Sequence, residues 1–128
     1  MNQFGCHACW PDTLDAADAA RRKLSNRALL IDESHFIVAI RICPKCAQNF
    51  LSVFAEMIDW EGGEDPQHWT LLPITESEAQ ELIRQGNSLP EQALYTLGED
   101  RRSLQHDHPK NEPPQTRWGA GIPRVPHD

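Results

Sequence analysis

The 128-residue chain has no apolar run near the ~20 residues that a membrane-crossing helix requires. It also lacks the nucleophile-elbow, phosphate-loop and His-Glu-x-x-His patterns, so no signature of hydrolase, nucleotide or zinc-protease chemistry is present. Positive charge is scarce: 12 Lys and Arg stand against 19 Asp and Glu, a formal net charge of −7. A chain of that sign is poorly suited to holding a phosphate backbone through bulk electrostatics. The hydrophobic fraction, 39%, is low and ten prolines are many, which implies that part of the chain carries no core. The opening residues, MNQFGCHACWPDT, show neither a basic n-region nor an apolar h-region. A cytoplasmic protein with reduced thiols is therefore expected, and no catalytic centre is.

What the chain does have is four cysteines in two pairs, Cys6-His-Ala-Cys9 and Cys43-Pro-Lys-Cys46, with none left over. Two residues between cysteines let a tight turn aim both sulfurs at one ion, and two such turns complete a tetrahedral shell. In a reducing compartment this pattern favours a metal over disulfides. Cys6, Cys9, Cys43 and Cys46 are thus the expected ligands of one structural Zn²⁺, with His7 a bystander. The 33 residues from Trp10 to Ile42 exceed the usual gap of ~15–20, and a helix and a hairpin account for the excess. These motifs resemble zinc-ribbon and zinc-knuckle domains over about residues 4–60. The resemblance implies a structural four-cysteine zinc on a β-hairpin scaffold. It names a fold element and no function. Such knuckles often place Gly after the second cysteine, where this chain has Trp10 and Ala47.

Local patterns fill in the rest. Leu14, Ala17, Ala20 and Leu24 recur at helical spacing behind a cap at Asp12 or Thr13. ALLID (28–32) and FIVAIRIC (36–43) read as a β-hairpin. NFLSVFAEMIDW (49–60) fits a helical stripe and a doubly buried strand. The turn-like EGGEDPQ after it, and the β-type HWTLLPIT beyond, favour the strand. Thr75 with Glu78 forms a capping box for a helix ending near Gly86, and Pro90 opens a short helix to residue 97. From Gly98 the composition changes, with five prolines and only Leu104, Trp118, Ile122 and Val125 as large apolar residues. The expectation is a small α+β domain over 1–97, built on a four-stranded, mostly antiparallel sheet with two or three helices. Residues 98–128 are expected to form an extended or disordered Pro-rich tail, with Trp118 docking somewhere.

Residues 47–83 contain no Lys or Arg and eight acids, five of them in 56–65. Trp60 and Trp69 flank this turn. Acidic residues at a rim and tryptophans beside them suit the docking of a basic protein, so Trp60, Glu61, Glu64, Asp65 and Trp69 are the candidate partner site. A plain solvated loop is the competing reading. The leading functional expectation is a non-enzymatic interaction module, an adaptor or an immunity- or inhibitor-like protein. Two alternatives stay open: a zinc-ribbon accessory protein for nucleic acid or transcription, and a thiol redox protein built on Cys-His-Ala-Cys. A further metal site at His106-Asp107-His108 is the weakest candidate, because two imidazoles alone hold a metal poorly.

Overall fold

The computed structural model describes residues 4–127 except 61 and 64. Thr13 caps the first helix, α1 (Leu14–Arg21), by accepting from the Ala16 amide. The helix stops there because the Arg22 amide turns back to Ala19 and Ala20. The chain then enters β1 (Ser25–Glu33), turns at Ser34–His35, and returns as β2 (Phe36–Ile42). Next come β3 (Asn49–Glu56) and β4 (Gln67–Ile74). Two helices follow, α2 (Glu76–Gln85) and α3 (Glu91–Thr96), joined through a single 3₁₀ turn at Gly86–Ser88. The capping box at Thr75 and Glu78 is formed in full. The chain ends on β5 (Arg102–His108) and β6 (Gln115–Ala120).

The six strands lie in sequence order in one sheet, every neighbouring pair antiparallel. Alternation along the strands sends two sets of side chains to opposite faces. Val38, Ile40, Leu51, Val53, Leu72 and Ile74 pack with Ala79 and Leu82 of α2, Leu94 of α3 and Ile122. On the other face Phe50, Leu71 and Leu104 meet Ala17 of α1, Leu24, Cys9 and Cys43. The sheet is therefore the middle layer of an α+β domain. Strand β3 explains the mixed signal of its sequence: it is covered on both faces, so six of its eight residues are buried.

The expected tail is corrected by the structure. Residues 102–120 supply the last two strands, making six strands where four were expected. Leu104 is fully buried, and Ile122 sits in the larger core. The reason lies in the chemistry of β5, Arg-Ser-Leu-Gln-His-Asp-His, which shows no apolar alternation. One of its faces is hydrogen-bonded instead of greasy. Gln105 donates to Ser103 Oγ at 3.2 Å and accepts from Arg117 at 3.3 Å. Asp107 bonds His68 Nδ1, whose Nε2 lies 3.0 Å from Thr70 Oγ1. A buried strand whose polar groups are paired among themselves carries no hydrophobic signature. Gly119 of β6 faces the Gln105 side-chain amide, so a Cβ there would require that amide to shift.

This hairpin is structural, so deleting residues 99–128 is expected to abolish cooperative folding. Leu104→Ala is expected to cost about 2–5 kcal/mol by chemical denaturation. A truncated chain that melts like the full one would refute this placement.

Candidate metal centre

The two cysteine turns meet above Phe50, at the end of the sheet where β2 stops. In the first, the Cys9 and Trp10 amides both donate to the Cys6 carbonyl, at 3.1 and 2.8 Å. The Cys6 amide points at Cys9 Sγ, 3.3 Å away. Gly5 enters this turn at φ +72°, and a Cβ on it would lie 2.9 Å from Cys9 Sγ. Only glycine combines that dihedral with that approach. The second turn is closed by the Cys43 amide on Gln48 O (2.9 Å) and the Ala47 amide on Cys43 O (3.0 Å). The Lys45 amide faces Cys43 Sγ at 3.4 Å. Ala47, in the place where glycine is common, has φ +64°. The residue is forced into the left-handed region by the turn that aims Cys46.

The four sulfurs converge on one point. Cys6–Cys9, Cys6–Cys43 and Cys9–Cys46 are 3.8, 3.9 and 3.7 Å apart, and all four lie within 4.8 Å of one another. A tetrahedral ion with ~2.3 Å bonds to sulfur needs edges of about 3.8 Å. None of the four is in a disulfide. Four cysteine sulfurs positioned to bind a metal ion are thus the central feature of the site. Among the described residues, no other set of three or more His, Cys, Asp or Glu groups converges in this way.

The environment is uneven. Cys9 and Cys43 are buried, Cys6 is partly buried and Cys46 is exposed. The Ala8 amide stabilises the Cys6 thiolate and, against the opposing effect of burial, brings that thiol down to about 7. Burial pushes Cys9 far up and Cys46 upward. A divalent cation at the centre offsets the cost of holding these groups as thiolates.

The first turn is joined to the sheet by few groups besides the sulfurs. The Gly5 amide donates to Gln48 Oε1 at 2.8 Å, and the same Gln48 side chain donates to Ile74 O at 2.7 Å. Trp10 packs on Phe50 and on Trp118, with ring centroids 5.4 and 5.3 Å apart. The Arg102 guanidinium lies over both indoles, 4.0 Å from Trp118 and 5.4 Å from Trp10. Trp118 is therefore docked on its own domain, as a lone tryptophan in a polar segment leads one to expect. The part of Arg102 carried no sequence signal. A cleft of about 880 Å³ runs beside the site, between Phe4–Trp10 and the Gly98–Arg102 turn.

Among the candidate partner residues that are described, Trp60 and Trp69 take different surroundings. Trp60 stands 85% exposed in the β3–β4 loop. Trp69 lies on β4 against the metal-side core, its indole donating to Ser52 Oγ at 2.8 Å beneath the Arg21 guanidinium. Asp65 accepts from the Asp59 amide within the loop at 2.8 Å. Glu61 and Glu64 lie outside the described residues. His106 and His108 share a face of β5 by alternation, but His106 is engaged with Thr116 Oγ1 at 2.9 Å.

No family model, curated protein or solved structure matches the chain. The reading of the site rests on its own geometry.

Two substitutions test that geometry. Cys43→Ser is expected to lose the metal and to lower the melting temperature by about 10 °C or more, because binding energy in such sites is folding energy. Ala47→Gly is expected to keep the metal and to stabilise by up to about 1 kcal/mol, relieving a left-handed alanine. Equal melting of Cys43→Ser and wild type would refute the metal centre.

Proposed function

We propose that the four cysteines hold one structural zinc ion, and that the chain is a non-enzymatic interaction module for a basic protein partner. Zinc is the metal that four thiolates in tetrahedral array suit best among cytoplasmic ions. A shell closed by four protein ligands keeps no position for water or substrate, so the metal serves the fold. Free cysteines in such a cluster fit a reducing compartment, in keeping with a cytoplasmic location.

The observation that carries the interaction reading is Trp60, an indole left almost wholly in water on a loop that is internally tied. The Gly62 amide donates to Asp59 Oδ1 at 2.9 Å, the Gly63 amide to Asp59 O at 3.0 Å, and the Met57 amide to Pro66 O at 3.1 Å. Lys110, from the β5–β6 turn, reaches Asp59 Oδ2 at 2.8 Å. Bonds among the described loop residues lower the freedom that those residues lose on binding, and tryptophan is the residue most enriched among interface hot spots. The surrounding stretch 47–83 carries eight acids and no Lys or Arg, which steers a cationic surface toward it. That sign also argues against the nucleic-acid alternative.

The test begins with a partner captured from lysate. Trp60→Ala is expected to weaken its binding about tenfold or more while leaving the melting temperature unchanged. Reversal of Glu61, Glu64 and Asp65 to Lys is expected to slow association and remove most of its salt dependence. An unchanged rate and affinity in both variants would reduce the loop to a solvated turn. Tight binding of duplex DNA by the wild type at physiological salt would favour the accessory-protein reading.

A further inference from the structure

Cys46 is the most exposed of the four cysteines, and Cys6 is partly buried beside the cleft along Phe4–Trp10. Cys9 and Cys43 are buried against the sheet, whereas Cys46 is exposed at the rim. Cys9 Sγ lies 3.7 Å from Cys46 Sγ, on the other knuckle. A disulfide needs a sulfur separation of about 2.0 Å, so a modest closure of this pair would join residues 9 and 46. That bond would tie together the same two segments that the metal ties. An alternative bond between Cys6 and Cys9, 3.8 Å apart, would close the first knuckle on itself and leave the N-terminal segment unlinked from the second.

We propose that the cluster is also a modification site for hydroperoxides, entered at Cys46 and resolved by Cys9. This rests on the zinc reading above for its metal-releasing step. The Cys46 thiolate attacks the terminal oxygen of the hydroperoxide. The S–O bond forms, the O–O bond breaks, and the departing alkoxide or hydroxide takes a proton from water. The Cys9 thiolate then attacks the sulfenic sulfur of Cys46. The S–S bond forms, the S–O bond breaks, and hydroxide leaves and is protonated to water. In sum, two thiolates, one hydroperoxide and two protons give one disulfide, one alcohol (or water) and one water. The sulfur pair loses the two electrons that the peroxide gains. Zinc keeps only Cys6 and Cys43 as ligands and leaves.

The consequence is particular to this arrangement. Because the new bond spans the two knuckles, Trp10 stays seated on Phe50 and Trp118 after the metal has gone. Oxidation exchanges one clasp for another and releases one zinc ion per disulfide without opening the fold.

The experiment treats the full-length zinc-loaded chain with hydrogen peroxide. It reads zinc release with a chromophoric chelator and maps disulfides by peptide mass spectrometry. Lys45 lies between Cys43 and Cys46, so trypsin places them on separate peptides, and fragmentation separates Cys6 from Cys9. The expected result is release of one zinc per peroxide consumed, a Cys9–Cys46 linkage and unchanged tryptophan fluorescence. Cys46→His retains four ligands and is expected to release zinc at least about tenfold more slowly. A Cys6–Cys9 linkage, release from Cys46→His at the wild-type rate, or tryptophan exposure on oxidation would overturn the proposal. If the untreated chain holds no zinc, the structural-zinc reading fails, and the disulfide map of the metal-free thiols alone decides the choice of Cys46 and Cys9. If Cys46→His fails to fold, the wild-type map decides it in the same way.

Discussion

Four sulfurs from two turns, with Cys6 and Cys43, and likewise Cys9 and Cys46, 37 positions apart in the chain, must be held within reach of one point, and much of the domain can be understood as the means of doing so. Among the described residues no strand leads into the first turn. Its ties to the rest of the domain include the Gly5 amide's hydrogen bond to Gln48 Oε1, the Arg101 guanidinium over Phe4 and the contacts of Trp10. The second is the end of β2, whose ladder with β3 runs from Phe36↔Ala55 to Ile42↔Asn49 without a break. Between them α1 and the β1–β2 hairpin carry the chain out and back. The apolar surface under the site, Phe50, Leu71 and Leu104, is shared by strands β3, β4 and β5. The metal-side core therefore depends on the C-terminal hairpin as much as on the cysteines.

The two faces of the sheet divide the work. The larger core lies away from the metal, beneath α2 and α3, and no cysteine belongs to it. An ion network ties α2 to the sheet: Arg27 pairs with Glu76 at 2.7 Å, and Asn49 donates to the same carboxylate at 2.9 Å. Arg27 is the chief cause that holds Glu76 down to about 2. Arg101 plays a similar part at the same end of the sheet, bonding Glu78 and the Pro73 carbonyl. These links join α2 to β1 and β3, and the turn before β5 to α2 and β4, without involving the sulfurs.

What could be read from the residues follows from which signals are local. The convergence of the four cysteines was legible because two Cys-x-x-Cys turns need no tertiary information. The capping box of α2 was legible for the same reason. The left-handed Ala47 could be anticipated from a position where glycine is usual. Strand β3 was legible only through its neighbours, since burial on both faces erases the period-two pattern. Strands β5 and β6 were not legible. Their inward side is a network of His68, Thr70, Ser103, Gln105, Asp107 and Arg117, whose pairing exists only once three strands are assembled. The same blindness applied to Trp69: flanking a loop in sequence says nothing of which face of a strand the indole will take.

The central claim is the chemical identity of the shell around one ion, and X-ray absorption at the zinc K-edge tests it most directly. On protein purified without added metal, the account predicts a zinc edge with one ion per chain and a first shell of four sulfurs at about 2.3 Å. The absence of zinc, or a shell containing nitrogen or oxygen in place of sulfur, would contradict it.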